Sequence, residues 1–126
     1  MKQFFSLVFL GILSTSFTFF TGIDDVISEI KTGNAAQVAK YFDLTVEIST
    51  PAKTNSYSKS QAEMVLRDFF AMNSVKGFDV IHKGEKGGSQ FCIGTLVTKT
   101  GNFRTTVFMK QKGTNLVLQE IRFENS

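Results

Sequence analysis

His82 is the one histidine of the chain and, by type, the residue best suited to move a proton near neutral pH. To serve as a catalytic acid or base it needs an orienting carboxylate or a paired nucleophile within reach. Asp79 is the nearest carboxylate in sequence, and on a regular strand it points to the opposite face. Tyr57-Ser58-Lys59 could form a polar rim, although Ser58 has Gln61 at capping-box spacing and reads first as a helix cap. Arg104 and Arg122 could hold an anion, but arginines on strands more often pair with neighbours such as Glu120 or Glu124. Cys92 stands alone, so it can make no intramolecular disulfide, and no Cys/His spacing offers a zinc site. Gly84, Gly87 and Gly88 lead into a strand, whereas a phosphate-binding glycine loop leads into a helix. No cofactor and no metal are expected from these residues.

The elements that must position these groups are dominated by residues 78–124, which read as four strands. The turn signals Gly87-Gly88, Gly101-Asn102 and Gly113-Thr114 separate runs rich in Val, Ile, Phe and Thr, so an antiparallel meander is expected. Ahead of it, Asp24 or Asp25 caps a short helix through Lys31 that Gly33 stops, and Asn34 caps a second one. Thr45 to Thr50 alternates as a strand, Pro51 ends it, and the stretch from Lys53 to Tyr57 reads as a polar loop or a short edge strand. The longest helix opens at Ser58 or Ser60. It presents Ala62, Val65, Leu66, Phe69, Phe70 and Met72 as an apolar face until Asn73 and Gly77 stop it. The order helix, helix, strand, helix, meander predicts an α+β domain with helices on one face of a curved antiparallel sheet.

A chain of 126 residues, 42% hydrophobic and 20% charged, has the balance of one ordinary globular domain. Its formal charge of +3 is spread along the chain without a basic run, which argues against nucleic acid as the partner. Residues 1–22 differ from the rest. Lys2, the apolar block from Phe4 to Leu13 and the small residues Ser14 and Ser16 predict a signal peptide, cleaved so that the mature chain begins between residues 17 and 24. The remainder, residues 23–126, is then a single exported domain, periplasmic or extracellular, with no stable membrane span after cleavage.

Several segments resemble one family. Tyr57-Ser58-Lys59-Ser60-Gln61-Ala62, Phe69-Phe70, His82-Lys83-Gly84, Phe91-Cys92-Ile93-Gly94-Thr95-Leu96-Val97-Thr98, Gly101-Asn102-Phe103-Arg104 and Gln119-Glu120-Ile121-Arg122-Phe123-Glu124 are similar, in order, to the domain of unknown function 4783 family. The resemblance covers the chain from about Asp24 to Glu124. It implies secreted proteins of Bacteroidetes-type bacteria and a cone-shaped nuclear-transport-factor-2-like (cystatin-like) fold, and it brings no activity with it. Phe91 and Phe103 stand where that family leads one to expect tyrosine.

Two-residue hairpin loops would pair Lys86 with Ser89, Thr100 with Phe103 and Lys112 with Asn115. Phe78, Val80, His82, Phe91, Ile93, Thr95, Val97, Thr106, Phe108, Val117, Gln119, Ile121 and Phe123 then share one aromatic-rich face, expected to meet the helices. A pocket in the cone between helix and sheet would be lined by His82, Thr95, Phe108, Gln119 and Tyr57 and would hold a small apolar ligand. Ile81, Leu96, Val107, Met109, Leu116 and Leu118 fall on the other face. That patch is too apolar for open water and predicts a homodimer through the outer face of the sheet. Three functional readings follow. The first is a secreted, non-catalytic binding or interaction module; the others are an isomerase- or hydratase-like enzyme using His82 and a ligand-free structural envelope protein.

Overall fold

The computed structural model describes residues 22–126. The expected signal segment therefore lies outside the described residues, apart from Gly22. Among the described residues three helices, α1 (Gly22–Lys31), α2 (Ala35–Ala39) and α3 (Lys59–Met72), accompany six strands. The strands are β1 (Phe42–Ser49), β2 (Thr54–Ser58), β3 (Val75–Lys86), β4 (Ser89–Thr98), β5 (Gly101–Lys112) and β6 (Asn115–Asn125). They form one sheet in the order β2-β1-β6-β5-β4-β3. Every neighbouring pair is antiparallel except β1 and β6, which run parallel.

The helix boundaries follow the capping chemistry. Asn34 Oδ1 accepts the Gln37 N–H at 3.2 Å, and Ser58 Oγ accepts the Gln61 N–H at 3.4 Å, which selects Ser58 over Ser60. Gly33 ends α1 with φ +67°, a left-handed conformation in which a Cβ would also press on Val75. Asn73 ends α3, its backbone and side-chain N–H groups both donating to the Phe69 carbonyl at 3.0 Å. Gly77 does not stop this helix; it lies within β3.

The core is the space between the helices and one face of the sheet. Ile23, Val26, Ile27 and Ile30 from α1, Val38 from α2, and Ala62, Leu66 and Phe70 from α3 meet Val46, Ile48, Leu96, Val107, Met109, Leu118, Ile121 and Phe123. Met72, expected in this contact, is instead exposed at the end of α3.

This arrangement reverses the expected sidedness of the meander. Phe91, Ile93, Thr95, Val97, Thr106 and Phe108 do share a face, but it is the face away from the helices. Cys92, Gly94, Leu96, Val107 and Met109 look inward. Two register shifts cause the reversal. Between Val80 and His82 the extra residue Ile81 puts Phe78 opposite Leu96 on the inner face while His82, opposite Ile93, faces out. Between Leu118 and Glu120 the extra residue Gln119 brings Ile121 opposite Val107, and Phe123 inward with it. The bulk of Phe78, Ile121 and Phe123 thus joins Leu96, Val107 and Met109 on one face and makes it the core.

The middle hairpin also closes two residues earlier than expected. Thr98 pairs with Gly101, so the loop is Lys99-Thr100 and not Gly101-Asn102. Thr98 Oγ1 donates to the Gly101 carbonyl at 2.6 Å and accepts the Thr100 N–H at 3.2 Å, while the Lys99 N–H donates to the Ser74 carbonyl at 2.9 Å. The turn is fixed by these threonine bonds and by the end of α3. Because the slip moves each strand by an even number of positions, the faces of β4 and β5 keep their membership.

Candidate functional site

An aromatic cluster packs in the middle of the cone expected to hold a ligand. Phe69 stacks on Phe123, with ring centroids 4.2 Å apart, and meets Phe103 edge-on at 5.2 Å. Phe70 closes the cluster edge-on to Phe123 at 6.2 Å. Of the expected lining residues, Tyr57 alone lies on the helix side of the sheet. His82, Thr95 and Phe108 are together on the outer face. Gln119 sits in the β6 bulge, and Tyr57 is half-buried on β2 at the inner side of the sheet edge.

His82 is exposed, its ring tilted at 53° to that of Phe91 with centroids 5.4 Å apart. The β3 bulge also corrects the expected position of Asp79. Asp79 opposes Thr95, so it shares the outer face with His82. Both side chains are exposed, and among the described residues no hydrogen bond joins them. Water competes for both groups at this exposed position.

Phe91 lies across Gly84, where a Cβ would approach the ring to 2.5 Å. Glycine at this edge position gives the ring its place on the sheet. With Ile93, Val97 and Phe108 it forms an apolar strip, half-buried by its own neighbours and without a helix over it among the described residues. Arg104, Arg122, Glu120 and Glu124 border the strip on β5 and β6, and Arg122 donates to Glu120 at 2.7 Å.

Two polar nodes were not legible from sequence. Asp43 accepts from Leu44 N–H at 2.8 Å, Lys112 Nζ at 3.0 Å and Gln119 Nε2 at 3.0 Å. The Gln119 and Lys112 hydrogen bonds hold its carboxyl below the usual carboxylate range. This node clamps the irregular stretch of β1 against β6, where pairing passes from Phe42–Leu118 directly to Glu47–Glu120. It leaves Leu44 81% exposed. The second node is Gln90, buried, whose Oε1 accepts the Ile23 N–H at 3.1 Å and whose Nε2 donates to Glu85 at 2.8 Å. It ties the first turn of α1 to the sheet. Cys92 is fully buried, and desolvation pushes its thiol up to about 11. Among the described residues no group of three or more His, Cys, Asp or Glu is placed to hold a metal ion, and no helix is long and apolar enough to cross a membrane.

Residues 23–124 match the family described as Domain of unknown function (DUF4783). A DUF4783 family protein from Bacteroides ovatus is 32% identical, with TM-score 0.78, 81% of this chain covered and 93% of that one. A second, from Bacteroides uniformis, is also 32% identical, with TM-score 0.79 and coverages of 82% and 95%. An NTF2-like protein of unknown function from Cytophaga hutchinsonii is similar in fold alone, at 9% identity and TM-score 0.60 over 83% of this chain and 87% of that one. No curated protein matches.

Proposed function

This chain belongs to the DUF4783 family, with a nuclear-transport-factor-2-like fold, and from that premise we propose that it is a non-catalytic interaction module acting outside the cytoplasm. Its working surface on this reading is the outer face of the sheet, and the occupant is a second copy of the chain. The carrying observation is the strip of Phe91, Ile93, Val97 and Phe108, which the helices of the described residues leave uncovered because they pack on the opposite face. Charge supports the same occupant. Arg104 and Arg122 lie beside Glu120 and Glu124, so a two-fold axis can set each arginine near a glutamate of the other copy.

Of the residues expected to carry a homodimer, Leu96, Val107, Met109 and Leu118 are fully buried in the core, Leu116 is partly buried and Ile81 is exposed. The proposal therefore moves to the residues that face out. Export rests on the apolar block and small residues ahead of Gly22. Sedimentation velocity of the mature chain at tens of micromolar tests the dimer. The expected result is a dimer that Ile93→Lys and Phe108→Lys each convert to a folded monomer. A monomeric parent chain, or a dimer unchanged by both substitutions, overturns it.

A further inference from the structure

The geometry points to a second binding surface, independent of the outer face: the free edge of β2 takes up an extended peptide segment of another protein as an added strand. The recognised segment carries acidic residues at both ends and an apolar residue between them.

The two edges of the sheet are built differently. β3 is protected by the bulge at Ile81 and by Lys76, Lys83 and Lys86, features that discourage strand addition. β2 reads Thr54-Asn55-Ser56-Tyr57-Ser58, with no lysine, proline or bulge, and its pairing with β1 is continuous from Ser49–Thr54 to Thr45–Ser58. The phase of its hydrogen bonds follows from the turn. The Thr50 N–H donates to the Lys53 carbonyl at 2.9 Å, so the Thr50–Lys53 pair is of the bonded kind. Bonded and non-bonded pairs alternate along an antiparallel ladder, which turns the N–H and C=O of Asn55 and Tyr57 toward β1 and those of Thr54 and Ser56 toward the open edge. The short Ser49–Thr54 hydroxyl contact of 2.7 Å agrees, since side chains approach most closely across non-bonded pairs.

Below this edge, between β2 and α3, lies a groove of about 490 Å³ lined by Asn55, Tyr57, Gln61, Met64, Val65 and Asp68. An added strand runs about 4.8 Å beyond β2, so its inward side chains reach over this groove. Met64 is 63% exposed there, an unbranched apolar side chain able to fit varied partners. The flanks select the occupant. β2 is bracketed by exposed Lys53 and Lys59. A second copy pairing antiparallel about Ser56 would set Lys53 against Lys59 at both ends, a like-charge arrangement that disfavours self-pairing. The same lysines attract acidic residues spaced roughly 20 Å apart on an extended partner of about seven residues.

The probe is a displayed library of random nonapeptides selected against the whole mature chain, with recovered peptides measured in solution by fluorescence anisotropy. Enriched peptides are expected to carry Asp or Glu at both flanks and an apolar residue between, and to protect the Ser56 amide from exchange. Ser56→Pro removes the outward N–H without breaking a bond to β1, and it should weaken binding at least tenfold while the melting temperature holds. Lys53→Glu with Lys59→Glu should weaken it as much with every backbone group kept. Ile93→Lys, which tests the outer face, should leave peptide affinity unchanged, so the two proposals fail separately. The inference is overturned by a library that yields no acid-flanked peptides, by binders indifferent to both β2 variants, or by Ser56 protection that rises with protein concentration alone.

Discussion

The ring of Phe69 lies nearly parallel to that of Phe123, centroids 4.2 Å apart and planes 22° from coplanar, joining the middle of α3 to the end of β6. Phe123 is fully buried, whereas Phe69 is half-buried and borders the core. Phe123→Ala should therefore destabilise by about 3–5 kcal/mol and Phe69→Ala by about 2 kcal/mol. A double-mutant cycle in urea should return a coupling of about 0.5–1.5 kcal/mol for the stacked pair. Strict additivity would show that the rings do not share one contact.

Gly94 and Gly84 face opposite sides of the sheet, and their replacement by alanine should have unequal effects. A Cβ at Gly94 would come within 2.6 Å of the Asp79 carbonyl and 2.8 Å of the Phe78 ring, so backbone must move. A loss of about 1–3 kcal/mol is expected. At Gly84 the obstacle is the half-buried ring of Phe91, which can swing away. The loss there should be smaller and accompanied by greater Phe91 exposure, read by thermal melts and dye binding.

Cys92 should resist a water-soluble disulfide reagent in the native chain at pH 8 and react fully in denaturant. Its folded value near 11 is raised from 9.0 by desolvation, so the folded state holds the proton more tightly than the unfolded state. Stability is fully present below pH 9 and falls as pH rises toward 11. Cys92→Ala should flatten that part of the profile, measured by urea midpoints at several pH values.

Asp43 acts at the other end of the scale. Its folded value is depressed, so its contribution is present above the unfolded carboxylate range near pH 4 and is lost as pH falls through the folded value. Asp43→Ala should cost about 1 kcal/mol at pH 7, below the usual range for charged hydrogen bonds because Lys112 is half in solvent. The variant should also lose the acid-side slope of the parent chain, followed by melts between pH 3 and 6.

Much of the fold could be read from residue order, but its sidedness could not. Ser58, Asn34 and Gly33 mark helix ends because capping is local, and Gly87-Gly88 and Gly113-Thr114 mark turns through backbone conformations that glycine supplies at φ +56°, +82° and +62°. The bulges at Ile81 and Gln119 have no such local mark. Each depends on what the neighbouring strand and the helices require, and one extra residue exchanges the faces beyond it. The Asp43 node was equally hidden, since Lys112 and Gln119 come from the far end of the chain.

The buried first turn of α1 limits where the proposed leader could be removed. Gly22 packs on Leu116, leaving no room for a Cβ, and the Ile23 N–H is bound by Gln90. N-terminal sequencing of exported protein should show a mature end at or before Gly22. An end after Ile23 would delete this anchor, and recovery of intact Met1 outside the cytoplasm would argue against cleavage.

The parallel seam between β1 and β6 sets an order of events for the growing chain. Phe42 meets Leu118 and Ser49 meets Arg122, so a strand made early must wait for the last one before the sheet can close. Until then the β1–β2 hairpin and the β3–β5 strands are separate pieces, each exposing part of the future core. Contacts of such long sequence separation slow folding, because loop entropy is lost before they form. The interval exposes apolar strands to aggregation, and its length is governed by how soon β6 becomes available.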